Sequence, residues 1–266
     1  MNKISFMSAN YVARVLGYNM TEGWGQGDNA TNEYFRPIET FRQRFEEILA
    51  DIRALGFDHM DLWLAHLNPR WATDEHVRIA QELLGKHGLG VVSLAGGMGS
   101  SREELERICS LAQSLGVTIL GGVCPLLYED RNFVVDTLKR YNLKLGIENH
   151  PEKTPQEMLE KIGDGGDGTI GTTVDTGWYG TQGYDAAKAI EELAPYVLHV
   201  HLKDVREVGS HHTCRYGEGV VPIKECVEVL KQIGYEGAIS VEHEPETFDP
   251  SEDCRADLQM LREWLS

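Results

Sequence analysis

The chain has 266 residues, close to the usual size of one closed eight-unit α/β barrel, so a single domain over residues 1–266 is expected. A hydrophobic content of 41% and a charged content of 25% are ordinary for a globular protein. The net charge of −17 repels phosphodiester backbones, which excludes nucleic acid as a partner and suits a protein that holds a divalent cation and a neutral polyol.

Membrane and export signals are also missing from the sequence. No stretch approaches eighteen consecutive apolar residues, and the N-terminus lacks the apolar run of a signal peptide. We therefore expect no membrane segment and a cytoplasmic location. The five cysteines include no Cys-x-x-Cys pair, which predicts reduced structural thiols rather than disulfides or a thiolate zinc site.

Eight strands alternate with helices along the chain. They are expected to begin near Ile4, Met60, Val91, Thr118, Leu143, Thr169, Val197 and Ala238. Gly or Asn, which tolerate the left-handed conformation that ends a helix, precede several of these strands, as in Leu55-Gly56 and Tyr141-Asn142. Alternation of this kind predicts a parallel sheet, and eight units favour closure into a (β/α)8 TIM barrel. An open doubly wound sheet is the alternative, but no Gly-x-Gly-x-x-Gly turn follows the first strand.

A long segment separates the first strand from the first clear helix. Gly17 to Pro37 is rich in Gly, Asn and aromatic residues and shows no periodicity, so it is predicted to be a loop that covers the active site or contributes to a subunit contact. A simple spacer is the alternative. From Ile38 to Leu55 apolar residues recur at three- and four-residue steps, which predicts an amphipathic helix that Gly56 ends.

Four later strands each end in a potential metal ligand. In Leu143–His150, Gly171–Asp175, Val197–Asp204 and Ala238–Glu242, residues of one parity are branched and apolar, and the other parity includes Glu148, Asp175, His201 and Glu242. Alternate side chains of a strand point to opposite faces, so these four are expected to converge on one mononuclear site. Any one of these residues taken alone is better explained as a polar strand-end group facing water, and it is the series of four with the same parity that predicts a site.

Three carboxylates and one imidazole form an oxygen-rich ligand set. Such a set suits one Mn²⁺, Mg²⁺ or Co²⁺ ion better than Zn²⁺, which stays open. A cation bound to a sugar's carbonyl and neighbouring hydroxyl can stabilise the enediolate formed when the carbon between them loses a proton. Glu148 and Glu242, from non-adjacent strands, are the predicted catalytic base and acid. His150 is a further catalytic candidate as the proton carrier, or it only forms a hydrogen bond near the strand end.

Two candidate substrate contacts lie on and after the seventh strand. Lys203 shares the parity of His201, and it either contacts substrate or forms an ion pair with Asp204 that orients His201. Arg215, in the long loop after this strand, either binds a substrate hydroxyl or phosphate or is a solvated cation.

Two more candidate substrate contacts are associated with the second strand. Met60, Leu62 and Leu64 share the apolar parity, which leaves Asp61 and Trp63 facing inward. Trp63 is predicted either to stack on a sugar ring or to belong to the core. His66 follows just past the strand end and is the other predicted contact.

Several motifs together resemble the xylose isomerase-like sugar isomerase/epimerase superfamily of TIM barrels. They are Gly146–His150, Val174–Gly177, His199–Asp204, Gly217–Gly219 and Gly234–Glu242, while the first half matches only in its αβ rhythm and in Leu55–Asp61. The resemblance implies that Glu148, Asp175, His201 and Glu242 bind a divalent metal, often manganese. It also implies that the two glutamates take part in proton transfer.

One position departs from this resemblance. Ketose 3-epimerases of the superfamily usually carry a histidine three residues after the metal-binding aspartate, where this chain has Trp178. The form His201-Leu-Lys-Asp204 is closer to inosose dehydratase-like relatives. A DNA-repair endonuclease of the superfamily needs several more histidines than are placed here.

Three functions follow from these residues. The leading hypothesis is a metal-dependent isomerase or epimerase of a sugar, sugar phosphate or polyol. The second is a lyase or dehydratase that uses the same site on a keto-sugar or ketoinositol. The third is a non-catalytic sugar-binding barrel. In each case the partner is a small-molecule carbohydrate, and a homo-oligomer is left open.

Overall fold

The barrel consists of eight parallel strands in a computed structural model that describes residues 2–266. The strands are β1 (Ile4–Met7), β2 (His59–Trp63), β3 (Gly90–Gly97), β4 (Ile119–Val123), β5 (Lys144–Glu148), β6 (Ile170–Asp175), β7 (Val197–Leu202) and β10 (Ile239–Val241). The short strands β8 (Asp204–Val205) and β9 (Thr213–Cys214) pair antiparallel after β7. The eight barrel strands pair in chain order and β10 closes on β1, so the predicted (β/α)8 barrel is confirmed.

Helices connect the strands and surround the barrel. They are α1 (Trp24–Phe35), α2 (Ile38–Leu55), α3 (Asp74–His87), α4 (Arg102–Ser114), α5 (Leu126–Glu129), α6 (Arg131–Tyr141), α7 (Pro155–Ile162), α8 (Thr176–Thr181), α9 (Ala186–Glu192), α10 (Ile223–Gln232) and α11 (Ser251–Leu265). The predicted helix over residues 38–55 is confirmed, and Gly56 ends it with a φ of 100°. Among residues 2–266, no helix is both long enough and apolar enough to cross a bilayer.

The segment after β1 is not the unstructured loop that its composition predicts. Residues 24–35 form α1, whose buried positions Gly27, Thr31 and Phe35 follow at four-residue steps. Only Phe35 is large and apolar, so a search for apolar periodicity misses this helix. A Cβ added at Gly27 would lie 2.5 Å from the carbonyl oxygen of Val12, so glycine is required where α1 approaches the backbone after β1.

The interior of the barrel is layered beneath the strand ends. Two positions before each predicted ligand, Gly146, Thr173, His199 and Ser240 occupy the same inward parity. A Cβ at Gly146 would lie 2.4 Å from Thr173 Oγ1, so the missing side chain makes room for that threonine. This filled layer is the floor on which the strand-end residues stand. All five cysteines are buried and free, as predicted.

Candidate metal centre and active site

A cavity of about 680 Å³ lies at the carboxyl ends of the barrel strands. Glu148, Asp175 and Glu242 line it, and His201 lies directly beneath with 2% of its side chain exposed. Glu148 ends β5, Asp175 ends β6, and Glu242 follows β10, so the alternation of each strand turns these side chains inward. The structure therefore brings the four predicted ligands together at one place.

His201 connects two of the carboxylates. Its Nδ1 lies 2.7 Å from Glu148 Oε1 and 3.3 Å from Glu242 Oε2. His150, the other proton-carrier candidate, lies with Nε2 3.2 Å from Asp175 Oδ2 and Nδ1 3.5 Å from Glu148 Oε2. Both imidazoles thus contact carboxylates of the predicted site, and the proton-transfer role stays open between Glu148, Glu242 and His150.

Lys203 is buried among the acidic groups. Its Nζ lies 2.8 Å from Asp175 Oδ2 and 3.0 Å from Glu242 Oε1. The space for it comes from Gly177, because a Cβ there would lie 2.6 Å from Lys203 Cγ. The positive charge of Lys203 lowers the pKa of Asp175 below its usual value, and at Glu242 it only partly offsets the effect of burial.

The predicted ion pair between Lys203 and Asp204 is wrong. Consecutive residues of a strand point to opposite faces, so the two side chains diverge. Asp204 instead accepts hydrogen bonds from the backbone N–H groups of Gly217 and Gly219, each at 3.0 Å, and of Val221 at 3.1 Å. It shapes the loop after β7 and does not orient His201.

The crowding shifts the protonation of these groups in different directions. Burial raises the pKa of Glu242 to about 8, against the opposing effect of Lys203 and His201. Burial also acts to raise the pKa of Glu148, but the charges of His201 and His150 outweigh it and hold that pKa well below its usual range. For His150, burial acts to lower the pKa, and the neighbouring Glu148 and Asp175 raise it to about 10.

The carboxylate oxygens fit a divalent cation. Asp175 Oδ2 and Glu242 Oε2 are buried without an aligned hydrogen-bond donor, although Lys203 and His201 stand within ion-pair distance of them. Closely spaced carboxylate oxygens of this kind are the ligands that a hard divalent cation prefers. Glu148, His201 and Glu242 place one ligand atom each within 4.8 Å of one another, as metal coordination requires.

A second cluster lies one layer deeper. Asp61 Oδ2 lies 2.8 Å from His199 Nε2, 3.0 Å from His201 Nε2 and 3.0 Å from Ser240 Oγ, and the three ligand-type residues could themselves hold a metal. His201 belongs to both clusters through opposite ring nitrogens. Because Nε2 donates to Asp61, the ring is held with Nδ1 facing Glu148 and Glu242. Asp61 thus orients His201, the role that sequence reasoning gave to Asp204.

The predicted substrate contacts divide into two groups. Trp63 stays at the strand end, 3% exposed, with its ring centroid 5.2 Å from that of Trp24 beside the cavity. His66 and Arg215 lie elsewhere, and their predicted contact with substrate is corrected. His66 is 1% exposed with Nδ1 3.1 Å from Ser8 Oγ, and Arg215 forms a 2.5 Å ion pair with Asp253.

Burial of His66 predicts a pH dependence of stability. Burial lowers the pKa of His66 to about 3, whereas an unfolded chain titrates it near 6.5. The unfolded state therefore gains a proton as the pH falls below 6.5 while the folded state does not, and stability decreases. Between pH 7 and pH 5 this group alone should cost about 2 kcal/mol. In urea unfolding at both pH values, His66→Gln should lose that much less stability than the parent, and equal losses would refute the assignment.

Sequence reasoning missed one wall of the cavity. The Trp178 ring lies 4.7 Å from the His150 ring and 5.2 Å from the His211 ring, measured between centroids, so three rings extend from the acidic cluster toward the mouth. The Trp178 indole also donates a 2.8 Å hydrogen bond to the carbonyl oxygen of Glu152, which fixes its orientation. Trp178 was noted only as a departure from a motif, since nothing in the sequence pairs it with residue 211.

Trp24, in the segment between β1 and α2, also lines the cavity. Its Nε1 donates a 3.3 Å hydrogen bond to Glu244 Oε1, and Glu244 Oε2 in turn lies 3.6 Å from Lys203 Nζ. The expectation that this segment reaches the barrel mouth agrees with this position. A subunit contact through it stays a prediction.

The family model of the xylose isomerase-like TIM barrel matches residues 49–264 of this chain. The chain belongs to the xylose isomerase-like TIM barrel family. This match covers seven of the eight barrel strands, including every strand that carries a candidate metal ligand.

Two curated relatives match parts of this family member. An uncharacterized protein of Methanocaldococcus jannaschii is 32% identical over 149 residues, which are 51% of this chain and 49% of that protein. The L-ribulose-5-phosphate 3-epimerase UlaE of Escherichia coli is 37% identical over 70 residues, 26% of this chain and 23% of the enzyme. The matches thus span about half of the first relative and about a quarter of the second.

Solved structures share the fold over nearly the whole length. The IolI protein with a bound zinc atom has a TM-score of 0.71 at 14% identity, covering 99% of this chain and 98% of that one. A D-allulose 3-epimerase from Methylomonas sp. has a TM-score of 0.69 at 15% identity, with the same two coverages. A probable 3-DHS dehydratase, AsbF from Bacillus anthracis, has a TM-score of 0.68 at 14% identity, covering 98% and 99%. Identities this low show the fold alone.

Proposed function

We propose that this protein is a divalent-metal-dependent isomerase or epimerase of a sugar, sugar phosphate or polyol. The observation that carries the proposal is the pair of buried carboxylate oxygens, on Asp175 and Glu242, that lack an aligned donor beside the exposed cavity. With Glu148 and His201 they form the proposed ligand set. The family membership and the epimerase activity of the relative UlaE support a sugar as substrate.

A divalent cation, when bound, would supply Lewis-acid stabilisation of the negative charge that develops on the substrate oxygens. Manganese is the first choice, because three of the four proposed ligands are carboxylates and the resemblance favours it. Zinc is the alternative, and the IolI structure with its zinc atom supports testing it.

The residues of this chain then move the proton. Glu148 and Glu242 come from β5 and β10, and two strands, β6 and β7, separate them around the barrel. They therefore face a substrate in the cavity from two sides, so one can remove a carbon-bound proton and the other can return one on the opposite face. Lys203 lies 3.0 Å from Glu242 Oε1 and holds that carboxyl group in place.

A lyase or dehydratase is the second candidate. It would use the same proton removal and then expel a β-substituent. The fold shared with the AsbF dehydratase supports a lyase as an alternative. Trp178 also supports it, because ketose 3-epimerases usually carry a histidine at that position. A non-catalytic sugar-binding barrel is the third candidate.

The decisive experiment uses protein loaded with Mn²⁺ and, separately, with Zn²⁺. Each form is incubated in deuterated water with a panel of ketoses, ketose phosphates and ketoinositols, and the products are followed by NMR and mass spectrometry. We expect deuterium at one substrate carbon and an isomer whose mass differs only by that deuterium. Loss of water or of a second molecule would identify a lyase, and saturable binding without exchange would favour the non-catalytic barrel.

A further inference from the structure

A second, smaller cavity of about 260 Å³ opens beside the first. Trp24, Gly96 and Gly97 line both cavities, so the two spaces adjoin along the end of β3 and the start of α1. Glu148, Asp175 and Glu242 line the first cavity, and none of the four proposed metal ligands lines the second. A group that occupies the side cavity would therefore sit next to the reaction centre without taking part in the chemistry.

The total space exceeds what a single small sugar needs. At about 30 Å³ per water molecule, 260 Å³ corresponds to roughly eight or nine waters, enough for one sugar ring. The main cavity, at about 680 Å³, already lies within the range of roughly 300–1,000 Å³ typical for bound ligands. The cavities together suit an elongated substrate better than a lone monosaccharide.

The walls of the side cavity combine aromatic surface with hydrogen-bonding groups. The indoles of Trp24 and Trp63 contact each other at 5.2 Å and both line it. The Trp24 indole, 43% exposed and backed by the buried Trp63 ring, offers a flat apolar surface to the carbon–hydrogen face of a sugar ring. The polar lining residues Asp28, Asn68 and Arg70 stand where they can bind hydroxyl groups.

The charge of this lining disfavours an anionic ligand. Arg70 is paired with Glu104 at 3.1 Å, and Arg107 is paired with Glu103 through a 2.6 Å hydrogen bond. The Asp28 side chain, half-buried on α1, forms no hydrogen bond or ion pair with residues 2–266. A free carboxylate accepts hydrogen bonds from hydroxyls and repels a phosphate, so the site suits a neutral ligand.

We propose that the side cavity is a subsite for the part of the substrate that does not react, and that it binds a neutral polyhydroxylated group such as the second ring of a disaccharide or glycoside. This inference rests on the proposed function only in that it places the reacting sugar in the main cavity. It narrows the substrate class to sugars that carry a neutral glycosyl substituent.

Gly97 offers a way to close the passage between the two cavities. A Cβ added there would meet no atom within 4 Å, and its φ lies outside the region that favours glycine, so a larger side chain fits and projects into open space. Gly85, inside α3, shares both properties but lines neither cavity. Gly97→Val and Gly85→Val are therefore a matched test and control.

The probes are turanose, lactulose and isomaltulose, which attach a second sugar to fructose at three different hydroxyl groups, together with fructose and fructose 6-phosphate. Dissociation constants are measured by calorimetry or NMR on Mn²⁺-loaded full-length protein. At least one disaccharide should bind about ten-fold more tightly than fructose, the gain expected from one or two added hydrogen bonds and an aromatic contact. Gly97→Val and Asp28→Ala should reduce this ratio toward one, and Gly85→Val should retain it.

Three results would overturn the proposal. The first is that no disaccharide binds more tightly than fructose. The second is that Gly97→Val leaves the ratio of disaccharide to fructose affinity unchanged. The third is that fructose 6-phosphate binds more tightly than fructose and loses this difference in Gly97→Val. The binding ratio requires no turnover. Failure of the exchange experiment would therefore count against the proposed reaction and leave the subsite to be judged by binding alone.

Discussion

Replacement of Glu148 or Glu242 by glutamine should lower turnover of the metal-loaded protein by about a hundred- to ten-thousand-fold. A positioned general base contributes an effect of this size, and glutamine keeps the shape of the side chain while removing the basic oxygen. The measurement is the exchange of the substrate's carbon-bound proton with deuterated solvent, at metal concentrations that saturate each variant. The double variant should be little worse than the poorer single one, because residues that act as one unit are not additive.

Glu152→Gln is the matched control for these variants. Glu152 is a buried glutamate four residues after Glu148, but it pairs with Lys161 and does not line the cavity. The Glu152→Gln protein should exchange the substrate's carbon-bound proton at a rate close to that of the parent protein. His150→Asn tests the competing proton carrier. If both glutamine variants exchange at the parent rate while His150→Asn does not, the glutamate pair is the wrong assignment and His150 takes its place.

Asp175→Asn should abolish stoichiometric metal binding, whereas His199→Asn should retain it. We expect about one Mn²⁺ per chain in the parent protein, and the two variants separate the ligands beside the cavity from the deeper cluster. Beside the cavity, Asp175 groups with Glu148 and His150, and Glu148 also groups with His201 and Glu242. His199 belongs to the deeper cluster around Asp61. Loss of an outer hydrogen-bond partner of a ligand typically lowers metal affinity about 10- to 100-fold. Removal of a direct ligand should lower it further.

Elemental analysis and Mn²⁺ titration of the folded variants provide the measurement, with circular dichroism to verify folding. A His199→Asn protein that loses its metal, together with an Asp175→Asn protein that keeps it, would move the site to the deeper cluster. Equal metal content in both variants and the parent would exclude Asp175 and His199 as required ligands and contradict the proposed four-residue set.

The segment from Gly17 to Pro37 shows which features the sequence could predict and which it could not. Its place at the barrel mouth was predicted from its length and aromatic content, but its helix was not. The buried stripe of α1 uses Gly27 and Thr31, which carry no apolar signal. Close approach to the Val12 carbonyl explains the glycine, and only the fold makes that approach known.

The sequence by itself determined the barrel and the convergence of Glu148, Asp175, His201 and Glu242, because strand alternation and the parallel order of the strands are local rules repeated eight times. Only the tertiary structure decided which side chains meet across the barrel. It paired Lys203 with Asp175 instead of Asp204, and it placed Asp61 behind His201. These contacts join strands far apart in the chain, and their distances depend on how the closed barrel packs its interior.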